Sequence, residues 1–283
     1  MIETGHERSY RPSMIAPVRL AADASFAFTK WYVDCVADDG RVAIGYWASL
    51  SWRRLSLIWQ SLTVHEPMRP LFEQSAIGSS GPPVNDHGRI RWCSPHLGTA
   101  VTAEARQPAF GLRLFEEHSR YVDWYCETPL AHVTIDVAGQ PRLHGRGYVE
   151  HVTLTIPPWR LPIDELRWGR WIDDRAIRSL VWVDWRGPGG QCWTFVDGVW
   201  APGAAVSDER VTNGSVMLGL DSPRVLCCRA LDSLIARIPG LSAVIPPALL
   251  AWHETKWLSR GVLCRSDEVP ILGSAIHERV VIR

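Results

Sequence analysis

The chain has 283 residues, 46% apolar and 21% charged, and its lysines plus arginines equal its aspartates plus glutamates. This is a globular composition with no basic run to serve as a nucleic-acid footprint. The charged opening segment lacks the apolar region of a signal peptide and no apolar run nears the ~18 residues of a membrane span, which predicts a cytoplasmic protein without an integral membrane segment, a membrane-peripheral placement being the alternative.

Residues 1–20 show no periodicity and read as a tail or strap. From Phe28 to Ala37 and from Arg41 to Trp52, apolar and polar residues alternate on either side of Asp38-Asp39-Gly40, which predicts a hairpin with a tight turn. Arg53-Arg54 breaks the pattern before a third strand over Leu55–Val64, whereas residues 76–88 are rich in Gly, Pro, Ser and Asn and read as a surface loop. Further strands are predicted over 89–93, 122–126, 131–137, 147–156, 166–172, 179–185 and 191–196. Strands at that spacing indicate a sandwich or barrel. A short helix is expected over Ala230–Ile238, stopped by Pro239-Gly240, and a second over Pro247–Trp252. Strands return at Glu254–Cys264 and Ile276–Arg283, the last expected to pair early in the fold. Tyr32-Val33-Asp34-Cys35 is echoed 150 residues later by Trp182-Val183-Asp184-Trp185, which fits either a duplicated half or a chance match of alternating strands.

The densest chemistry lies in His144-Gly145-Arg146-Gly147-Tyr148-Val149-Glu150-His151. Alternation puts Tyr148 and Glu150 on one face of a strand, with Val149 and His151 on the other. In an apolar cavity, desolvation would raise the Glu150 pKa and make it a proton donor to a carbon-carbon double bond, and indole faces would stabilise the resulting cation. The competing reading is a buried ion pair between Glu150 and Arg146, Arg167 or Arg170. In Arg167-Trp168-Gly169-Arg170-Trp171, alternation separates Arg167 and Trp171 from Trp168 and Arg170, and both arginines could stack on indoles. Fifteen tryptophans suit a site that is apolar but not featureless.

Gly145 and Gly147 suggest a bulge or a tight strand start. The seven cysteines form no CxxC pair and read as reduced, packed thiols. The histidines show no HxH or HExxH spacing, and a metal site would have to assemble distant residues such as His132, His151 and Glu150, so neither metal nor cofactor is predicted. No GxSxG, GxGxxG or GxxxxGK[ST] motif is present.

Three segments resemble the carotenoid 1,2-hydratase (hydroxyneurosporene synthase) family, whose relatives with paired lipocalin-like domains include some Diels-Alderases. Lys30-Trp31-Tyr32-Val33-Asp34 resembles that family's opening Trp-Trp-Tyr-Phe strand, Gly145–His151 its Gly-x-Gly-Tyr-x-Asp-His segment, and Arg167-Trp168-Gly169-Arg170 its Trp-x-Trp-Gly-Arg strand. Glu150 stands where the family has aspartate, and Val152-Thr153-Leu154-Thr155-Ile156 replaces the Asn-Trp-Gly after the histidine.

The resemblance implies an all-β protein of two lipocalin-like barrel or sandwich halves, here divided as 21–140 and 141–283; the one or two short helices read from the sequence fall near the C-terminus. It implies acid-assisted hydration, isomerisation or cyclisation of a polyene or isoprenoid in an aromatic-lined cleft. Glu150 would be the donor, Tyr148 and His151 would orient it, and Trp31, Tyr32, Asp34, Arg146, Arg167, Trp168, Arg170 and Trp171 would contact the hydrophobic small-molecule ligand. The alternatives are a non-catalytic carrier of a lipid or isoprenoid and a structural β protein whose interior is filled by its own side chains. The oligomeric state is open.

Overall fold

β-Branched and aromatic residues at alternate positions, punctuated by Gly, Asp and Pro, make strand follow strand. The computed structural model describes residues 26–232, 247, 251–266 and 268–282. Among the described residues, two curled antiparallel sheets account for nearly all regular structure. The first holds β1 (Phe26–Ala37), β2 (Val42–Trp52), β3 (Leu55–His65), β4 (Phe72–Ile77), β5 (Val84–Asp86), β6 (Arg89–Ser94), β7 (Thr99–Ala105), β8 (Phe110–Glu117), β9 (Arg120–Val137) and β10 (Leu143–Leu154). The second holds β11 (Glu165–Asp173), β12 (Ser179–Arg186), β13 (Gln191–Val196), β14 (Val199–Ala201), β15 (Ala205–Val206), β16 (Arg210–Thr212), β17 (Val216–Ala230), β18 (His253–Arg265) and β19 (Ile271–Val281).

The spatial orders are β4-β3-β2-β1-β10-β9-β7-β6-β5, with β8 added on β9, and β14-β13-β12-β11-β19-β18-β17-β16-β15. They match position by position: in each half the first strand is central, paired with the second strand on one side and the last on the other. The repetition therefore lies in the topology. The echo at an offset of 150 joins β1 to β12, whereas the counterpart of β1 is β11, so those four residues do not mark equivalent positions. The last strand, β19, pairs with β11 and β18 inside the second sheet rather than with an early strand of the chain.

Other differences from expectation have local causes. The segment expected as a loop over 76–88 contributes Ile77 to β4 and forms β5, leaving 78–83 as the connection. The strands expected over 122–126 and 131–137 are one strand, β9; Pro129, with no N–H to give, sits where the register with β10 shifts. β17, where no strand was expected, contains Pro223 at another register shift. The expected tail over 1–20, the expected helix beyond Asp232 and residues 248–250 of the second helix lie outside the described residues.

Alternation along every strand produces three cores. One face of the first sheet encloses Val33, Trp47, Leu62, Trp92 and Val133, and one face of the second encloses Trp171, Leu180, Trp182 and Leu263. The other faces pack together into a third core, in which Tyr32, Trp124 and Tyr148 meet Trp168, Trp185 and Phe195. The candidate site lies in this layer between the sheets.

Candidate active site

Phe26, Phe28, Lys30, Tyr32 and Asp34 recur at every second position of β1 and so turn one face toward the second half. Opposite them on β10, Tyr148, Glu150, Val152 and Leu154 do the same. Toward one edge of this layer the facing side chains part around a cavity of about 390 Å³. Its wall is apolar and rich in indoles, with Phe28, Trp52 and Trp59 from the first half facing Trp159, Trp185 and Trp252. Trp159, in the link between the sheets, packs edge-on against Phe26 and Trp52 at 5.9 and 5.1 Å between ring centroids. The charged groups on the wall are Lys30, Arg229, Glu254 and Glu278.

Glu150 lies beside this cavity rather than on its wall. Lys30 and Val152, one step further along the same face, line it. Glu150 is 7% exposed, and its Oε2 accepts hydrogen bonds from Trp124 Nε1 and from Tyr148 Oη at 2.7 Å. Burial pushes its pKa above the ordinary glutamate value, opposed by the nearby Lys30 charge and by those two donors. Both donors reach the same oxygen, so Oε1 is available to carry a proton.

Gly147 allows this arrangement: a Cβ there would lie 2.0 Å from the Asp34 carbonyl oxygen of β1. The register with β9 shifts on both sides of Val149, the bulge that the paired glycines suggested.

None of the three arginines considered as partners reaches Glu150. Arg146 pairs with Asp174, and Arg167 with Glu165 and Asp208. Arg170, fully buried, binds Asp34 through Nη2 at 2.6 Å and Nε at 3.1 Å and donates to the Ser274 carbonyl at 3.2 Å; Tyr32 Oη also donates to Asp34. Asp34 and Arg170 therefore form a fully buried ion pair in this layer, and it joins the two central strands. Trp168 packs on Tyr32 and Tyr148 at 5.1 and 5.4 Å without lining the cavity.

The structure does not bring Trp31, His151 or Trp171 to this place. His151 lies on the opposite face of β10, stacked between Trp31 and Tyr125 at 4.5 and 4.9 Å. Its Nδ1 is 2.9 Å from Glu127 but off the line of a hydrogen bond. Trp171 is in the interior of the second half, donating to the Gly261 carbonyl. Among the described residues no cluster of three His, Cys, Asp or Glu side chains could hold a metal ion. All seven cysteines are free. No described helix is long and apolar enough to cross a membrane.

Sequence reasoning missed Trp124, Lys30 and a buried cation at the inner end of the cavity. Lys256, 2% exposed, is ion-paired with Glu278 and with Glu254 at 3.5 Å, and donates to Tyr46 Oη at 2.7 Å. Its ammonium lies 4.9, 5.4 and 5.8 Å from the ring centroids of Tyr32, Tyr46 and Trp168. Burial acts to lower its pKa, but the Glu278 carboxylate first, with Tyr46 Oη and Glu254, holds it well above the usual lysine value. The signal was present: Glu254 and Lys256 are two apart on β18, and Lys256 stands directly opposite Glu278 of β19.

Fold and site together define a protein of two lipocalin-like halves packed around an apolar inter-sheet cavity with a buried carboxyl beside it. No family model matches the chain, and no curated protein matches it in sequence. Among solved structures it is similar to CghA determined with Sch210972 (TM-score 0.60, 11% identity, 91% of this chain and 89% of that one). It is also similar to kievitone hydratase from Nectria haematococca (TM-score 0.51, 11% identity, 92% and 89%). A third is a putative AttH from Nitrosomonas europaea (TM-score 0.50, 12% identity, 95% and 100%). These likenesses establish the fold, and it is the paired lipocalin-like architecture implied by the motif resemblance.

Proposed function

We propose that the cavity binds an apolar polyene or isoprenoid and that Glu150 supplies the proton for its hydration, isomerisation or cyclisation. The observation that carries this reading is a buried carboxyl with no cationic partner in ion-pair contact among the described residues, its pKa raised by burial, next to a 390 Å³ aromatic cavity. Proton transfer from Oε1 to an alkene carbon leaves a carbocation, which the rings of Tyr46 and Trp59 on the cavity wall stabilise. Water attacking that cation gives the hydrated product and returns a proton to Glu150. Attack by a second double bond followed by proton loss gives a ring, and proton loss alone gives an isomer.

Tyr148 and Trp124 position the carboxyl by holding Oε2, and Asp34 with Arg170 anchors β1, the strand paired with the one that carries it. That the fold also belongs to a protein called kievitone hydratase supports the hydration arm. Turnover of candidate polyenes by wild type and Glu150→Gln tests the proposal: loss of at least about a hundredfold in kcat with ligand affinity held supports it. Undiminished turnover in the variant overturns it.

A second reading, a carrier of the same ligands, is favoured by the position of Glu150 off the cavity wall. It requires ligand binding by wild type with no product formed.

A further inference from the structure

We infer that the ligand of the inter-sheet cavity is an amphiphile with a carboxylate or comparably acidic oxygen, which meets the Lys30 ammonium while its apolar body lies along the indole walls. This deepens the functional reading above and rests on its cavity being a ligand site, though not on Glu150 being a proton donor.

Lys30 interrupts an apolar face: Phe26 and Phe28 precede it and Tyr32 follows it on the same side of β1. A lysine there takes a charge into an aromatic cavity, a placement that costs free energy unless something compensates it. Every other cation at this end has a carboxylate. Lys256 has Glu278 and Glu254, and Arg229 has Glu254 at 3.5 Å and Glu73 at 3.6 Å. Lys30 has none in ion-pair contact among the described residues; its ammonium lies 5.7 Å from the centre of the Tyr46 ring, and its charge acts on the Glu150 and Glu254 carboxyls from beyond ion-pair distance. The carboxyl nearest to it along the face, Glu150, already has both donors on Oε2, and burial favours its neutral form.

Beside Lys30 on the wall, Arg229 has a buried Nε that lies 3.5 Å from Glu254 without making a hydrogen bond to it or to any other described residue. Two cationic side chains with donors to spare thus line one end of an otherwise apolar cavity. Such donors suit an anionic oxygen, because charge-assisted hydrogen bonds in a desolvated setting are the strong ones.

The test is a fluorescence titration of cis-parinaric acid and its methyl ester at about pH 8, where the free acid is ionised. The proteins are wild type, Lys30→Met, Lys30→Arg and Glu150→Gln. The acid should bind wild type about tenfold or more tightly than the ester. That preference should collapse in Lys30→Met, with ester affinity held, and persist in Lys30→Arg and Glu150→Gln. Equal binding of acid and ester by wild type, a preference that survives Lys30→Met, or no saturable binding of either probe would overturn the inference. The two claims fail separately: acid preference without turnover of any polyene ends the catalytic reading alone, and turnover without acid preference ends the head-group assignment alone.

Discussion

Arg170 grips Asp34 with two nitrogens, at 2.6 and 3.1 Å, across the layer between the sheets, and both side chains are fully buried. Because β1 and β11 are the central strands of the two halves, this pair fixes one sheet against the other where the candidate site is built. Removing one partner strands a buried charge. Asp34→Leu should therefore cost ~3–5 kcal/mol in urea unfolding, and the double variant Asp34→Leu/Arg170→Met should recover much of that loss. A double variant as unstable as the two single losses added together would show that the pair is not coupled.

Lys256 makes a second, independent prediction. Its charge holds Glu278 and Glu254 in the wall of the cavity, so Lys256→Met leaves the partly buried Glu278 without an ion-pair partner among the described residues and Glu254 with Arg229 alone. The variant should lose ~3–5 kcal/mol near neutral pH. Burial acts to raise the Glu254 pKa, yet the Lys256 and Arg229 charges bring it below the ordinary value. Its stabilising contribution is therefore present above the unfolded-state pKa and lost as pH falls through the folded one. Without Lys256 that acid-side loss should shrink, which urea midpoints of both proteins at about pH 4 and pH 7 will measure.

The cavity can be filled from one side. Ala48 lines it from β2 and is itself 7% exposed, so Ala48→Phe places a ring into open space rather than into packed atoms. Binding of an apolar polyene should weaken by at least about tenfold while the thermal midpoint does not fall. Undiminished binding would move the ligand site elsewhere.

How far these features were legible in the sequence depended on whether local pattern or long-range contact decided them. Alternation alone separated Tyr148 and Glu150 from His151, and Trp168 and Arg170 from Trp171, and the structure keeps those faces apart. It could not say which faces meet: Trp31 and Trp171 turn into the separate interiors of the two halves, while Trp124, which binds Glu150, sits on a strand with no motif around it. Proline does not end a strand here: Pro129 and Pro223 lie at register shifts inside long strands. The choice of Asp34 over Glu150 as the partner of Arg170 is set by the packing of two sheets, which no segment contains by itself. Lys256 and Glu278 were readable only once β18 and β19 were known to pair in register.

Glu150 should also mark the pH dependence of stability. Its folded-state pKa is raised, so the native state holds this proton to higher pH than the unfolded chain does. Its contribution is full below the unfolded-state value and is lost as pH rises through the folded one. Relative to wild type, Glu150→Gln should therefore gain stability as pH rises from about 4 to about 8, read from urea midpoints. Trp124→Phe, which removes a donor favouring the charged form, should push the Glu150 pKa higher still.

The central claim, a carboxyl whose pKa is raised by burial beside an aromatic cavity, is most directly tested by titrating carbon-13-labelled glutamate side chains by NMR in wild type and Glu150→Gln. One carboxyl resonance, missing from the variant, should titrate clearly above the ordinary glutamate value of about 4.3. If the resonance lost in Glu150→Gln titrates at or below that value, the carboxyl is an ordinary anion and the acid chemistry assigned to it is wrong.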